Sequence, residues 1–186
     1  MAGAPVIINS PNSAQFRPGL EIKDMMGTWY VTHSTLPLWK NKKDVTISYT
    51  PVDAPSTSSP LQFDDVVEYR AQSSPASAKR SRVVGVDTLD TASRDAAPTR
   101  FKWRGKGLLM IASSRWQLLG YGPSWAVTYF EKTLFTPAGL DIYARTAQGL
   151  SEDLVQDIKK GLTAVGGDVG ILAESLFEVH RSQEAA

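Results

Sequence analysis

The feature of this sequence that most restricts its fold is a series of short β-type runs separated by turn-forming residues. Clusters rich in Gly, Pro, Ser and Asp divide the runs, and many of the runs alternate apolar with polar residues. Eight antiparallel strands favour a barrel closed on itself, since closure leaves no unpaired edge, and a β-sandwich is the alternative. The eight predicted strands are residues 28–35, 45–50, 61–69, 81–87, 100–104, 109–119, 125–134 and 140–146.

One helix is predicted after the last strand, at about residues 151–165. Ser151 has the position of an N-cap, acidic residues follow it in the first turn, and Gly166-Gly167 ends the segment. The apolar residues lie on one stripe, so we expect the helix to pack against the outer wall of the barrel. A β-like run over 175–181 is expected to add a short strand at the closure.

Charge and composition exclude several kinds of protein. The 186 residues carry 20 basic and 19 acidic side chains, so no overall field attracts nucleic acid. The longest apolar run, 107–112, is far shorter than the roughly 20 residues that span a bilayer. There is no cysteine, and residues 1–11 lack a signal-peptide pattern, so we expect a cytoplasmic protein. We expect one domain, with an arm over 1–24, a barrel over 25–182 and a tail over 183–186.

Three short motifs occur in a fixed order along the chain. Gly27-Thr28-Trp29-Tyr30 opens the first predicted strand, Tyr143-Ala144-Arg145-Thr146 ends the last, and Leu150-Ser151-Glu152 opens the helix. Together they resemble the lipocalin family, and the likeness is closest to apolipoprotein D and the bacterial and plant lipocalins. It covers about residues 20–182. The segment 121–125 lacks the Thr-Asp-Tyr type motif of many lipocalins and the disulfides are absent, so the chain resembles a divergent, cysteine-free member.

The resemblance implies an all-β fold, an eight-stranded up-and-down antiparallel barrel with one C-terminal helix on its outer wall. It also implies that Trp29 lies at the closed end, with Arg145 packed across its ring in a cation–π contact. Gly27, Trp29 and Arg145 are therefore expected to form the barrel floor.

Strand side chains alternate between faces, so placing this floor pair inside orients the first and last strands. Val31 and His33 of the first strand then point inward, as do Asp141 and Tyr143 of the last. These strands are neighbours in a closed barrel, so we expect Val31 beside Tyr143 and His33 beside Asp141. The outward residues Leu140, Ile142 and Ala144 form the expected docking face for the helix.

The other strands complete the expected cavity, and the seventh is oriented by aligning Ala126-Val127 on the pattern of the family it resembles. In the seventh strand Val127, Tyr129 and Glu131 are expected inside, with Ala126, Thr128 and Phe130 against the helix. Trp39, in the connection at the open end, is expected to act as a gate. The residues expected to contact ligand are Val31, His33, Trp39, Trp103, Trp116, Val127, Tyr129 and Tyr143.

The predicted barrel is compatible with two functions, and with a third alternative in which it binds no ligand. The resemblance implies a carrier of a small hydrophobic molecule, and the buried polar residues require that this molecule also carry a polar group. The second function is an enzyme of the same fold, such as a cyclase, isomerase or dehydratase, with His33, Asp141 and Glu131 as acid and base. A barrel filled by its own aromatic side chains would bind nothing.

No metal or cofactor is expected. The two histidines are far apart in the sequence and thiolates are absent, so no metal-ligating pattern is present. The expected partner is a small hydrophobic ligand or substrate, and the oligomeric state is left open.

Overall fold

Eight strands form a closed antiparallel barrel in the computed structural model, which describes residues 5–17, 19, 21–52, 60–91, 98–107, 113–134 and 136–182. Each strand pairs with the next, and the first pairs with both the eighth and the second, which closes the barrel. The predicted barrel is confirmed and the β-sandwich is excluded. The strands are β1 Gly27–Ser34, β2 Lys42–Pro51, β3 Gln62–Ala71, β4 Ser81–Leu89, β5 Arg100–Gly105, β6 Ser113–Gly122, β7 Trp125–Phe130 and β8 Gly139–Ala144.

The predicted boundaries differ from the structure in a few places. β7 ends at Phe130 rather than at residue 134. The beginning of the sixth predicted strand, residues 109–112, lies outside the described residues, as do residues 1–4, 18 and 20 of the arm and the whole tail 183–186. The described part of the arm runs along the outer wall, where the Asn9 amide donates to the Leu119 carbonyl at 2.7 Å.

One end of the barrel is closed by the predicted floor pair. The Arg145 guanidinium lies 3.5 Å from the centre of the Trp29 ring, and its nitrogens donate to the carbonyls of Thr28 and Asp24. Gly27 has a φ of 93°, a conformation in which a residue with a side chain would be strained. The cation–π contact is therefore confirmed, and it marks the end of the barrel opposite the cavity.

Two helices, not one, follow β8. Helix α1 spans Glu152–Val165, with the Ser151 side chain accepting a hydrogen bond from the Leu154 amide, and α2 spans Gly167–Glu174. The second helix was missed because Gly166 and Gly167, both at positive φ, were interpreted as the end of helical structure. Both helices pack on outward residues of the barrel, as predicted for α1. The shared cluster contains Leu119, Val127, Leu140, Ile142, Ile158, Leu162, Val169 and Ala173.

The chain then returns to the barrel as β9, Phe177–Glu178, which pairs with β1 at the open end. The expected edge strand is confirmed in shorter form. Asp44 anchors the segment that follows, because its Oδ1 accepts from the Ser182 amide at 2.6 Å and its Oδ2 lies 3.0 Å from Arg70 Nη1. Within the described part of the chain, no helix has the length and apolar character needed to span a bilayer.

Candidate functional site

A cavity of about 1170 Å³ occupies the upper part of the barrel and opens between the β1–β2 and β7–β8 connections. Its volume is somewhat above the roughly 300–1,000 Å³ of pockets that hold small organic ligands, so aromatic side chains do not fill the upper part of the barrel. The inner wall includes Ile47, Tyr49, Asp65, Val67, Trp116 and Tyr143. The mouth includes Leu36, Leu38, Trp39, Lys42, Lys132 and Leu134.

Packed aromatic rings form the inner end of this cavity. Tyr49 and Trp116 stack with their ring centres 5.8 Å apart and their planes 9° from parallel. Below them, Phe101 lies 4.9 Å from Trp116 and 5.1 Å from Phe63, centre to centre. Because Phe63 and Phe101 are buried beneath the lining rings, the lower half of the barrel is solid and a ligand must enter from the open end.

Two carboxyl groups lie side by side in this aromatic surrounding. Asp65 of β3 is 6% exposed and Asp87 of β4 is fully buried. Trp116 Nε1 donates to Asp87 Oδ1 at 2.7 Å, and the two carboxyls hydrogen-bond each other. Apart from this mutual contact, Asp65 Oδ1 and Asp87 Oδ2 have no hydrogen-bond partner among the described residues. Burial raises the pKa of Asp65 to about 7, and burial together with the nearby Asp65 raises the pKa of Asp87 well above its usual range. At neutral pH the pair therefore holds at least one proton.

A third buried carboxyl, Asp141, ties the β1–β2 connection to the barrel wall. Ser34 Oγ donates to its Oδ1 at 2.5 Å, and Trp39 Nε1 donates to its Oδ2 at 3.3 Å. Burial raises the pKa of Asp141 to about 7 although both donors act to lower it. Trp39, the predicted gate, is thus hydrogen-bonded to a group that titrates near neutral pH.

Tyr143 lies in the cavity wall between these carboxyl groups. Its hydroxyl is buried near Tyr49 and Thr128 and has no well-formed hydrogen bond among the described residues. Burial and the charge of Asp141 raise the pKa of this hydroxyl, so it remains a neutral donor at physiological pH. Asp65, Asp141 and Tyr143 thus bring acidic and hydroxyl groups to the cavity, whose lining also contains basic residues: Lys42, Lys102, Arg104, Arg115 and Lys132.

The predicted His33–Asp141 contact is wrong. Val31 pairs with Tyr143 as predicted, but the register shifts between Val31 and His33, so that His33 pairs with Ile142 and Ser34 with Asp141. This irregularity reverses the alternation of side chains beyond Val31. His33 instead lies near Glu178 and near Lys159 of α1, and burial is the main reason that its pKa is lowered.

The predicted orientation of β7 is also wrong. Ala126 pairs with Tyr143 and Thr128 with Asp141, and directly opposed residues share a face. Phe130 therefore lines the cavity, while the two residues predicted to do so, Val127 and Tyr129, pack in the cluster under the helices. The error came from aligning this strand to a family pattern rather than counting from the register of β8.

The remaining predicted site residues divide into three groups. Trp39, Trp103, Trp116 and Tyr143 line the cavity. Val31 is fully buried in the barrel core and is not part of the lining. Glu131 lies at the mouth, where its Oε1 is 2.7 Å from Arg100 Nη2, so the three predicted acid–base residues are not brought together and only Asp141 faces the interior.

Sequence reasoning missed several lining residues, among them Tyr49, Asp65 and Phe130. A signal for Asp65 was present, because it alternates with Phe63, Val67 and Tyr69 in one strand and so shares their inward face. Among the described residues, no group of three His, Asp or Glu side chains is arranged to hold a metal ion.

Solved structures with the same architecture were found at low sequence identity. Apocrustacyanin C2 aligns over 98% of this chain and 94% of its own, with 12% identity and a TM-score of 0.64. Lobster apocrustacyanin A1 aligns over 96% and 92%, with 14% identity and a TM-score of 0.62. The fold is that of the lipocalins. The tryptamine complex of the amine binding protein of Rhodnius prolixus aligns over 92% and 86%, with 12% identity and a TM-score of 0.57. No protein-family model and no curated protein matches the sequence.

Proposed function

We propose that this lipocalin-fold protein binds a small, mainly apolar molecule with a polar group inside its barrel. The observation that carries the proposal is the open cavity of about 1170 Å³, walled by aromatic rings and containing buried carboxyl groups. A structural neighbour determined as a tryptamine complex supports small-molecule binding in a barrel of this shape.

The buried polar atoms of the cavity support a ligand that is not a pure hydrocarbon. Asp65 Oδ1 has no hydrogen-bond partner among the described residues apart from the neighbouring Asp87 carboxyl, and the Tyr143 hydroxyl lies near Thr128 and Tyr49 without a well-formed bond to either. Leaving such groups unpaired costs about 1–3 kcal/mol each, and a hydrocarbon would exclude the water that could pair with them. A ligand with one polar end relieves this cost while its apolar body covers the rings.

Fluorescence titration with the neutral apolar probe N-phenyl-1-naphthylamine tests the proposal. Val67 lines the cavity, and Val66, the preceding residue of β3, points to the opposite face. Val67→Phe should weaken probe binding by tenfold or more because the added ring fills the cavity, and Val66→Phe is the matched control. Absence of binding to the wild type, or equal binding by both variants, would contradict the proposal. Native mass spectrometry of the protein from its own host would then give the mass of the natural ligand.

A second candidate function is an enzyme such as a cyclase, isomerase or dehydratase, and Asp141 is the observation that favours it. Its carboxyl is at the cavity wall, is oriented by Ser34 and Trp39, and has a pKa raised to about 7, which suits general acid–base catalysis. Incubation of the host ligand or its precursors with wild type and Asp141→Asn tests it. Conversion by the wild type that is lost in the variant, with binding retained, would favour the enzyme over the carrier.

We also propose a closer relationship of this chain within the lipocalins and a location in the cell. The motif around Trp29 and the arginine at position 145 support kinship with apolipoprotein D and the bacterial and plant lipocalins. A chain of 186 residues without cysteine suits the reducing cytoplasm. Microscopy of the tagged protein in its host tests the location.

A further inference from the structure

We propose that the polar group of the ligand is a protonated amine, held by the Asp65–Asp87 carboxyl pair at the inner end of the cavity. This inference rests on the proposed function, because it names the chemical class of the molecule bound in the same cavity. Neither carboxyl forms an ion pair with a lysine or arginine among the described residues.

The Asp65–Asp87 pair has carboxyl oxygens that can still accept hydrogen bonds from a ligand. Asp65 lines the cavity and is 6% exposed, and Asp87, to which it is hydrogen-bonded, is fully buried behind it. Apart from this mutual bond, one oxygen of each carboxyl lacks a hydrogen-bond partner in the described part of the chain. Trp116 Nε1 occupies only one oxygen of Asp87. An ammonium group brings up to three donors and a positive charge, so it can donate to the cavity-facing Asp65 and balance the single negative charge that Asp65 and Asp87 share.

Aromatic side chains line the cavity around the carboxyl pair. The stacked rings of Tyr49 and Trp116 line the cavity beside these strands, and aromatic faces attract cations. They also provide apolar area for the body of the ligand. The same wall therefore accommodates both ends of an aryl or alkyl amine.

A carboxylate and a hydroxyl, the other common polar ends of a small ligand, suit this site less well than an amine. A ligand carboxylate beside Asp65 would meet a carboxyl group of its own charge, and Asp141 lines the same cavity. Of the basic residues that line the cavity, Lys102 and Arg115 are already paired with Asp90. The basic lining residues are Lys42, Lys102, Arg104, Arg115 and Lys132. A hydroxyl could donate to one oxygen but would leave the carboxylate charge without a counter-ion. A protonated amine has neither disadvantage.

The affinity for an amine should depend on pH because the carboxyl pair must be ionised to bind it. The amine enters protonated and pairs with the singly ionised carboxyl pair, so a pair that holds two protons releases one to water on binding and keeps the other between Asp65 and Asp87. Burial raises the pKa of Asp65 to about 7, so amine affinity should rise as pH increases from 5 to 8. Tyr49 and Tyr143, which face the pair from β2 and β8, stay neutral over this range, and Asp141 of β8 titrates in the same direction.

Calorimetry at pH 8 should compare the affinities of three ligands that share a naphthyl group and differ only in their polar end. They are 2-(2-naphthyl)ethylamine, the corresponding alcohol and the corresponding carboxylic acid. The amine should bind the wild type at least about tenfold more tightly than the alcohol, and the acid should bind most weakly. Asp65→Asn should abolish the preference for the amine. Asp64→Asn is the matched control, because Asp64 precedes it in β3, faces outward and pairs with Lys106 Nζ at 2.6 Å.

Different binding results would contradict the amine, its assignment to the carboxyl pair, and the proposed binding function. Equal affinities for amine and alcohol would overturn the amine while leaving the cavity as a binding site. A preference that survives both Asp65→Asn and Asp87→Asn would overturn the assignment to the carboxyl pair. Failure of all three ligands and of the neutral naphthylamine probe would overturn the proposed function as well. If Asp65→Asn does not fold, the ratio of amine to alcohol affinity at pH 5 and pH 8 is compared between wild type and Asp141→Asn, because Asp141 titrates in the same range. A rise with pH that persists in Asp141→Asn supports the carboxyl pair, and a rise that is absent from wild type or lost in Asp141→Asn would overturn it.

Discussion

Replacing Asp65 by Asn should reduce the dependence of stability on pH. The folded protein keeps the Asp65 proton up to about pH 7, whereas an exposed aspartate releases it near 3.8. The folded-state pKa is raised, so between these values the folded state binds more protons and the free energy of unfolding falls as pH rises. Each pH unit costs about 1.4 kcal/mol, which gives roughly 4 kcal/mol over the window.

The neighbouring Asp87 lowers the gain expected from the substitution. The two carboxyls titrate as a pair, so part of the cost belongs to Asp87 and persists in the variant. We expect Asp65→Asn to be about 2 kcal/mol more stable than wild type at pH 8 and close to wild type at pH 4, since Asn is nearly isosteric with the protonated acid.

Urea denaturation of ligand-free protein, followed by tryptophan fluorescence at pH 4, 6 and 8, measures the effect. Asp64→Asn, on the outward face of the same strand, should keep the wild-type slope of unfolding free energy against pH. Parallel curves for wild type and Asp65→Asn, or a variant less stable than wild type at pH 8, would refute the reasoning. They would mean that Asp65 is well solvated in the native protein.

Three further substitutions test the floor, the cavity wall and the reassigned histidine. Arg145→Met removes the cation above Trp29 and should lower the free energy of unfolding by about 3 kcal/mol in urea melts, with ligand affinity nearly unchanged. Gly85→Ala places a Cβ 2.2 Å from Trp103 Nε1, so it should displace that ring, cost about 2 kcal/mol and weaken probe binding. His33→Gln should leave probe affinity within about twofold, because His33 lies near the outer helix; a large loss would contradict that placement.

The sequence by itself determined the barrel, its floor and the docking face of the first helix. The barrel strands and the docking face depend on local period, which is readable along the chain, whereas the floor pair Trp29–Arg145 was implied by the resemblance of the three short motifs to the lipocalins. Alternation in β8 correctly placed Asp141 and Tyr143 inside and Leu140 and Ile142 under the helices, and the helical stripe in α1 identified their partner.

Only the tertiary structure decided which polar groups meet inside the barrel. The register shift after Val31 turned His33 outward and put Ser34 against Asp141, and no local signal marks such an irregularity. The Asp65–Asp87 pair joins two strands whose register is set by the whole sheet, so neither residue alone announced a site. Period is a local property of the chain, whereas contact between inner-face side chains depends on the register of every strand in the closed barrel.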